Sequence, residues 1–349
     1  MTSVTALFAL DDARGPDADR WDAYVLGHER ATFFHQTSWR RVLERAFPHR
    51  AHYLYTMRDG AVSGVLPLFA SGEKPFSRAL SSVPVGVAGG VLASDDESAR
   101  ILRAGARAIA EREKIGYIEY KSEKRVFDDL KTKDDLYFGF RQELFDDREK
   151  QLNAIPRKSR AVLREGERAR LTFEYNRTDL EPFLDLYALS LRNLGTPMFP
   201  RELFVASLEE LGDRCDFASV RESGRVVGVV MNYYFRDVML PFFAGVLPDA
   251  RDVGVNNYIY WCMLETGYAR GFRTFDFGRS KKDTGPFKFK ENFGMAPIPL
   301  EYQYDLVLVD ELPNINPTNP KYAKAIETWK KLPVPLTRAI GPFLSRRIP

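Results

Sequence analysis

A dense group of polar and basic side chains follows one predicted strand in the second half of the chain. Asp276, Arg279 and Ser280 stand at the end of that strand, and Lys288 and Lys290 come shortly after it. Because α/β proteins bind ligands at the carboxyl ends of parallel strands, these groups are placed to converge on an anionic or carbonyl substrate. A solvated basic loop is the alternative interpretation.

The spacing of the two lysines favours a site over a simple basic loop. Lys288 and Lys290 alternate with Phe287 and Phe289. A strand with this alternation would bury the aromatic rings and gather both ammonium groups on one face. The pattern therefore predicts a strand here, with Lys288, Phe289 and Lys290 close to the substrate.

A second candidate site is a glycine-containing stretch that precedes a predicted helix. Arg251, Gly254 and Asn256 form the pattern R-x-x-G-x-N, and Asn257 and Tyr258 follow in the helix. A glycine loop that opens a helix presents unpaired backbone N–H groups to a phosphate or carboxylate. The pattern is one glycine short of a typical pyrophosphate loop, and the spacing of Tyr258 fits a core position as well as a substrate contact.

Histidine-based catalysis is excluded from the second half of the chain. All four histidines, His28, His35, His49 and His52, lie in the first 52 residues. We assign them no catalytic role, so proton transfer in the second half must use Asp, Tyr, Lys or the substrate. The two cysteines lack C-x-x-C spacing, which indicates neither a disulfide framework nor a zinc site, and we expect no metal.

The elements that position these residues occur twice, about 160 residues apart. Each copy has a helix, a hairpin, a further strand, a second helix and a closing strand. The first copy comprises 38–47, 53–57, 62–69, 82–92, 97–113 and 116–120, and the second comprises 183–191, 217–221, 226–235, 238–246, 255–270 and 271–277. This order predicts an α/β fold of two similar domains, each with its last two strands parallel across a helical crossover.

Length and composition agree with two globular domains. The 349 residues fit about two domains of ~150 residues, which we place at 1–150 and 151–310, with the active site in the second and a C-terminal segment at 311–349. The net charge of +3 is too small to indicate a nucleic-acid or lipid partner for the whole chain. We expect a cytoplasmic protein, because the N-terminus lacks the pattern of a signal peptide and no uncharged run reaches the ~20 residues of a membrane span.

Two basic segments are candidates for anionic partners. The junction between the domains carries Arg157, Lys158, Arg160 and Arg164, which could bind tRNA or a lipid-linked diphosphate, although a solvated face is the simpler interpretation. The C-terminal tail carries Arg338, Arg346 and Arg347, which could give a peripheral contact with an anionic membrane.

Seven motifs along the chain resemble FemAB-related proteins, an acyltransferase-like group associated with exosortase and exopolysaccharide loci. They are WRRVLERAFPH, VPVGVAGG, IPRKSRAVLREG, LGTPMFP, NNYIYW, FDFGRS and FKFKENFG. The resemblance implies tandem GNAT-like domains with mixed sheets flanked by helices, and a C-terminal segment that returns to the first domain. Relatives transfer an amino acid from aminoacyl-tRNA to an amine of a peptidoglycan precursor, and their Phe-Lys pair before an F-G motif falls on Phe289 and Lys290.

We therefore expect an N-acyl or aminoacyl transferase that acts on an amine of a cell-envelope or exopolysaccharide precursor. The resemblance assigns Lys290 to the developing oxyanion, and we assign Asp276 to the acceptor amine. The substrate-binding residues are expected to be Arg279, Ser280, Lys288, Tyr258, Asn257 and Phe289.

The sequence leaves two classes of acyl donor as alternatives. The chain lacks the long helical arm linked to tRNA in several relatives, so the donor is either aminoacyl-tRNA or an acyl-CoA or acyl-carrier thioester, with Arg251, Gly254 and Asn256 near the phosphates of the latter. No tightly bound cofactor is expected. A third reading is a non-catalytic module that binds a polysaccharide or lipid-linked intermediate.

Overall fold

The chain forms two mixed β-sheets with helices on their faces. A computed structural model describes residues 4–72, 78–251, 254–312 and 320–347. The strands in these residues are β1 Ala6–Leu10, β2 Arg50–Arg58, β3 Ala61–Ser71, β4 Ala79–Ser81, β5 Leu92–Ala93, β6 Tyr117–Tyr120, β7 Lys131–Lys133, β8 Tyr137–Glu143, β9 Thr172–Asn176, β10 Cys215–Glu222, β11 Arg225–Phe235, β12 Val238–Val246, β13 Thr274–Lys281, β14 Ile298–Pro299 and β15 Tyr302–Leu306. The helices are α1 Pro16–Gly27, α2 Thr37–Ala46, α3 Asp96–Arg112, α4 Arg148–Asn153, α5 Arg157–Arg168, α6 Leu180–Leu194, α7 Arg201–Leu211, α8 Val255–Gly267, α9 Gly285–Asn292, α10 Pro320–Lys331 and α11 Val334–Ser345.

The predicted repeat is present in both sheets. The first sheet has the order β1-β2-β3-β4-β6-β15-β7, with β5 against β3, and the second has the order β14-β8-β13-β12-β11-β10-β9. Each sheet has one parallel pair of strands among the described residues. In the first sheet β4 pairs with β6, and helix α3 lies between them in the chain. In the second sheet β12 pairs with β13, and helix α8 lies between them. The α/β class and the parallel closing strands of the second copy are thus confirmed. In the first copy the strand parallel to β6 is β4, which ends before the predicted range of 82–92 begins.

The two hairpins turn in the same way. Asp59 and Gly60 have φ angles of 51° and 81°, and Ser223 and Gly224 have φ angles of 49° and 85°. Two consecutive residues with positive φ are typical of the type I′ turn, whose twist matches that of the flanking strands. Both hairpins, β2–β3 and β10–β11, therefore have the local geometry that their sequences favour.

The predicted strand over 82–92 is wrong. β4 ends at Ser81, and the chain runs through a loop to the two-residue strand β5. This loop wraps around the side chain of Val83: a Cβ on Gly86 or Gly89 would lie 2.3 or 1.9 Å from a Val83 methyl carbon. The glycines of this apolar run therefore serve close packing of a loop rather than a strand.

The predicted strand at 287–290 is also wrong, because these residues form part of helix α9. Pro286 lies in its first turn, where a missing N–H costs nothing. In a helix Lys288 and Lys290 point to different sides, and Lys288 is exposed whereas Lys290 is buried. The two ammonium groups do not share a face.

The two sheets exchange strands. β8 lies before residue 150 but pairs with β13 in the second sheet, and β15 lies near residue 304 but pairs with β6 and β7 in the first sheet. The sheets therefore do not divide at the predicted boundaries. A common core reinforces the exchange, since the ring of Phe33 stacks on that of Tyr233 at a centroid distance of 4.7 Å.

The C-terminal segment packs mainly on the second half. In the described part of this segment, Arg338 forms ion pairs with Glu181 and Asp185 of α6. Arg346 Nε donates a hydrogen bond to the Ala46 carbonyl oxygen at 3.2 Å, which is a contact with the first half. The expected return to the first domain is thus limited to the end of α11.

Candidate active site

The parallel strands β12 and β13 separate soon after they meet. Val238 pairs with Thr274 and Met239 with Phe275, and no further pair joins the described residues of these strands. On its other edge, β13 pairs with β8 through a bulge between Asp276 and Arg279. The bulge thus begins at the point where β12 leaves β13.

Lys290 holds this bulge in place. Its Nζ atom donates hydrogen bonds to the carbonyl oxygens of Phe277, Gly278 and Arg279 at 2.6, 3.3 and 3.4 Å. Its ammonium also lies 5.3 Å from the ring centroid of Phe140. Burial lowers the pKa of Lys290 to about 7, although Asp276 partly opposes this effect. The ammonium group therefore takes the place of missing ladder partners of β13, and as placed it faces main-chain oxygens.

The same bulge orients the carboxylate of Asp276. Gly278, with φ of 67°, donates its N–H to Asp276 Oδ1 at 2.8 Å. Arg141, the cross-strand partner on β8, donates Nε–H to Asp276 Oδ2 at 2.9 Å and NH1 to Glu123 Oε2 at 2.9 Å. Arg141 therefore bridges a carboxylate of the first half to one on the second sheet.

Asp276 lines a small pocket between the two halves. The pocket has a volume of about 50 Å³ and lies where β12 and β13 part. Its lining comes from the first half (Ala31, Thr32, Phe33, Phe34, Val87, Ala88 and Glu123) and from the second sheet (Arg141, Phe235, Val238, Leu240 and Asp276). It is a junction to which both halves contribute.

A larger pocket of about 320 Å³ adjoins the small one, and the two share Ala88 and Glu123 in their linings. It is built by the first half and carries charges of both signs. Its charged and polar lining residues are Glu29, Arg30, His35, Lys121, Ser122, Glu123 and Lys124. A pocket with this lining suits a ligand that bears both anionic and cationic groups.

His35 is a fixed, neutral wall of the larger pocket. Its Nδ1 accepts the N–H of Thr32 at 3.1 Å, and Nε2 lies 3.1 Å from the carbonyl oxygen of Gly90. Burial lowers the pKa of His35 to about 4, so the ring is neutral near pH 7. Both ring nitrogens are therefore engaged with the backbone of Thr32 and Gly90.

Ser122 and Lys121 supply polar groups to the same pocket. Ser122 Oγ is buried and has no hydrogen-bond partner in the described residues, and a Cβ on Gly90 would lie 2.0 Å from it. Lys121 Nζ lies 3.4 Å from a Glu119 carboxylate oxygen and donates to the Pro84 carbonyl at 3.2 Å. Burial lowers the pKa of Lys121, and Glu119 opposes that shift.

Arg279 and Ser280 lie beside the bulge but line neither of the two pockets. Arg279 NH1 donates to Tyr302 Oη at 3.2 Å, and its guanidinium lies 4.3 Å from the ring centroid of Tyr137. Tyr302 in turn donates to the Val87 carbonyl at 2.5 Å. Arg279 thus ties β13 to β15 and to the loop of the first half. Ser280 is buried, and its Oγ lacks a partner in the described region.

The remaining predicted residues lie elsewhere. Phe289 packs in an aromatic cluster, with its ring 5.5 Å from Tyr260 and 5.6 Å from Phe293. Tyr258 donates its hydroxyl to the Leu171 carbonyl at 3.2 Å. Lys288 is exposed and lines neither pocket. None of the three therefore contacts the Asp276 pocket.

The glycine-containing loop lies against helix α5. Gly254 precedes α8 with φ of 73°, and a Cβ there would lie 2.6 Å from the Val162 carbonyl oxygen. This contact alone requires glycine. Asn256 and Asn257 are half-buried in the first turn of α8, and Arg251 ends a short 3-10 turn, with a side chain outside the described part.

Sequence reasoning missed the first-half residues of the site. The end of β6 has the sequence E-Y-K-S, and the end of β13 has the sequence D-F-G-R-S. Lys121 and Ser122 therefore occupy in the first copy the positions of Arg279 and Ser280 in the second, but the first copy lacks the glycine of the bulge. This similarity could have located Lys121 and Ser122. No comparable signal marks Glu123 or Arg141.

The described residues form neither a metal-binding cluster nor a membrane-spanning helix. In residues 4–72, 78–251, 254–312 and 320–347, no group of three or more His, Cys, Asp and Glu side chains is arranged to hold a metal ion. None of the described helices combines the length and the apolar character needed to cross a bilayer.

Comparison with known proteins supports an acyltransferase fold. Residues 149–291 match the family model described as an acetyltransferase (GNAT) domain. A search of curated proteins gave no match. Among solved structures, FemX is similar with a TM-score of 0.66 and 14% identity, over 84% of this chain and 97% of that chain.

Two other solved structures share the fold. A tandem GNAT protein from the clavulanic acid biosynthesis pathway has a TM-score of 0.55 and 13% identity, over 88% of this chain and 100% of that chain. The C-terminal domain of a putative lysylphosphatidylglycerol synthetase from Agrobacterium fabrum has a TM-score of 0.55 and 12% identity, over 82% and 91% of the two chains. The predicted tandem GNAT fold is confirmed, and the domain match supports the predicted acyltransferase.

Proposed function

We propose that this chain, which carries a GNAT acetyltransferase domain in a FemX-like fold, is an N-acyl or aminoacyl transferase whose acceptor amine binds beside Asp276. One observation carries the proposal. The Asp276 carboxylate is presented by a bulge at the point where two parallel strands part, in a pocket that both halves build.

The proposed reaction needs a group that receives the proton of the amine. The incoming ammonium first gives one proton to a carboxylate, which attracts it and accepts or relays that proton. The free amine nitrogen then forms a bond to the acyl carbon, the bond from that carbon to the donor oxygen or sulfur breaks, and the second proton passes from the nitrogen to that leaving oxygen or sulfur. Asp276 is oriented for that task by Arg141 and by the N–H of Gly278.

The acyl donor is proposed to lie along β12. Beyond Met239 this strand no longer pairs with β13, so its edge there lacks a strand partner among the described residues, and an extended ligand could pair with it in the way that peptides add to a sheet edge. Lys290 is proposed to act on the reaction by holding the bulge. The oxyanion role that the resemblance implied would require its Nζ to turn from the Phe277 carbonyl, which it contacts at 2.6 Å.

The acceptor is proposed to be an amine-bearing cell-envelope precursor, of the peptidoglycan or exopolysaccharide type or linked to a lipid. The larger pocket supports this proposal, because Arg30 and Lys124 suit anionic groups and Glu29 suits a second amine. One structural neighbour is named for lysylphosphatidylglycerol, an aminoacylated lipid, and the name of another mentions acetyl-CoA. We propose aminoacyl-tRNA or acyl-CoA as the donor.

The test measures formation of an amide. The full chain is incubated with radiolabelled acetyl-CoA or with a mixture of labelled aminoacyl-tRNAs, and each donor is offered a peptidoglycan pentapeptide precursor and a set of amino sugars. Amide product with one donor is expected. Asp276→Asn should reduce turnover at least about a hundredfold, the usual scale of a lost proton-transfer group.

Asp129→Asn is the matched control. Asp129 is also a carboxylate paired with an arginine, Arg103, but it lines neither pocket. Its replacement should leave turnover unchanged. Unimpaired turnover by Asp276→Asn would remove Asp276 from the mechanism, and failure of every donor to give product would favour a binding module.

A further inference from the structure

Helix α11 exposes its large apolar side chains and buries its small ones. The residues that face the protein, Thr337, Gly341 and Ser345, recur every four positions and are buried. The hydroxyl groups of Thr337 and Ser345 donate to carbonyl oxygens of the same helix. Gly341 lies against the backbone of Met198, where a Cβ would be 2.8 Å from the nitrogen atom. The inner face is therefore a small-residue surface suited to close docking.

The outer face of α11 is wholly apolar over its central part. Leu336, Ile340 and Phe343 are 45%, 38% and 58% exposed, and their spacing places them on one side of the helix. Pro335 and Ala339 are also exposed on this face. An ordinary surface helix has the opposite arrangement, with the large apolar side chains toward the core. An apolar face of this kind marks a surface that contacts another apolar phase.

Basic residues stand at both ends of the apolar stripe. Lys330 and Lys331 precede α11, and Arg346 and Arg347 follow it. Residues 320–349 contain seven Lys and Arg residues and one acidic residue, a net charge of +6, whereas the whole chain carries +3. The rest of the chain is therefore net acidic, and the excess of positive charge lies in α10, α11 and their flanks, where Arg338 is paired with carboxylates of α6.

We propose that α11 docks on an anionic lipid surface, with Leu336, Ile340 and Phe343 in the headgroup–acyl boundary and the flanking cations at the headgroups. A helix of twelve residues with an apolar side and basic ends has the features of an in-plane interfacial helix. Lys and Arg side chains extend along such a surface and keep their charges at its polar level. The charge favours lipid over a second copy of this chain, because the cations that flank α11 in two copies would repel each other.

This proposal does not depend on the catalytic one. A membrane contact would be compatible with a lipid-linked acceptor, yet it rests on α11, α10 and their flanks alone. Loss of membrane binding and loss of acyl transfer are separate readouts.

The test is cosedimentation of the full chain with vesicles of phosphatidylcholine alone and of phosphatidylcholine with phosphatidylglycerol. Binding is expected to the anionic vesicles, and raising the salt concentration should weaken it. Phe343→Ser should weaken vesicle binding about tenfold, since it removes a large part of the inserted apolar area. Lys331→Glu should weaken binding to the anionic vesicles by about tenfold and have little effect with phosphatidylcholine alone.

The controls are an exposed leucine and an exposed lysine far along the chain. Leu26→Ser changes a side chain that is 55% exposed at the end of α1, and Lys282→Glu reverses an exposed charge after β13. Neither should alter vesicle binding, and circular dichroism melts should show that all four variants fold. Equal sedimentation of the wild type with and without vesicles would overturn the proposal, as would binding that Phe343→Ser leaves intact. Concentration-dependent dimerisation that Phe343→Ser abolishes would also overturn it and would assign the face to a second copy.

Discussion

The Lys290 ammonium nitrogen lies 2.6 Å from the carbonyl oxygen of Phe277 and also reaches the next two carbonyl oxygens of β13. It therefore replaces the hydrogen-bond donors that β13 loses at its bulge. The same bulge directs Asp276 into the pocket between the halves. A side chain that the resemblance placed at the reacting carbonyl is, in the structure, bonded to the strand that carries the candidate acid–base group.

Replacing Lys290 with methionine should destabilise the protein. Lys290→Met keeps an unbranched apolar side chain but removes the terminal nitrogen, which leaves three carbonyl oxygens without their donor. We expect the free energy of unfolding to fall by about 2 kcal/mol, the scale for buried groups left unsatisfied. Urea unfolding measures this loss. Lys288→Met, on the exposed side of the same helix, is the control and should change little; equal stability of the two variants would contradict the positional role.

The stability that depends on Lys290 should increase with pH. Burial lowers its pKa from the ordinary 10.5 to about 7. Between these two values the unfolded chain binds a proton that the folded chain does not, so the free energy of unfolding rises with pH across this window. The difference in unfolding free energy between wild type and Lys290→Met should therefore grow from pH 7 to pH 9 in urea titrations. A difference that stays constant or shrinks would show that Lys290 remains protonated when buried.

The repeated order of elements could be predicted because its signals are local. The turns at Asp59-Gly60 and Ser223-Gly224, the amphipathic helix α3 and the largely apolar helix α8 are each specified by local sequence. The exchange of β8 and β15 between the sheets could not be predicted, since it depends on pairing between residues far apart in the chain. Local hydrophobic patterns carry no information about such partners.

The same contrast between local and long-range signals explains why only part of the candidate site could be predicted. Asp276 and Lys290 were expected near one strand end, and the structure brings both to the β13 bulge. Arg141 and Glu123 reach Asp276 only through the exchanged strand and the junction of the halves. The alternation at Phe287–Lys290 misled because four residues fit a strand and one turn of a helix equally well.

Gly254 provides a test of the predicted phosphate loop. Its φ is 73°, and an added Cβ would meet the Val162 carbonyl oxygen at 2.6 Å. Gly254→Ala should therefore lower the free energy of unfolding by more than about 1 kcal/mol, because both the backbone and the contact with α5 are strained. Gly285→Ala is the control, since no atom lies within 4 Å of its added Cβ. Calorimetry with acetyl-CoA completes the test: reduced affinity at unchanged stability would restore a phosphate-binding role.

Arg141 should matter more for turnover than for stability. It joins Asp276 to Glu123 from a side chain that is 38% exposed, and ion pairs of this exposure contribute less than about 1 kcal/mol. Arg141→Met releases the Asp276 carboxylate from one of its two hydrogen bonds, so kcat should fall at least about tenfold, as expected when a reacting group loses its orientation. Arg103→Met is the matched control, because Arg103 also bridges two carboxylates, Asp129 and Asp305, and lines neither pocket. Steady-state kinetics and thermal melts of both variants separate the effect on turnover from the effect on stability. If Arg141→Met and Arg103→Met lose the same stability and have the same turnover, the Glu123–Arg141–Asp276 bridge only joins the halves.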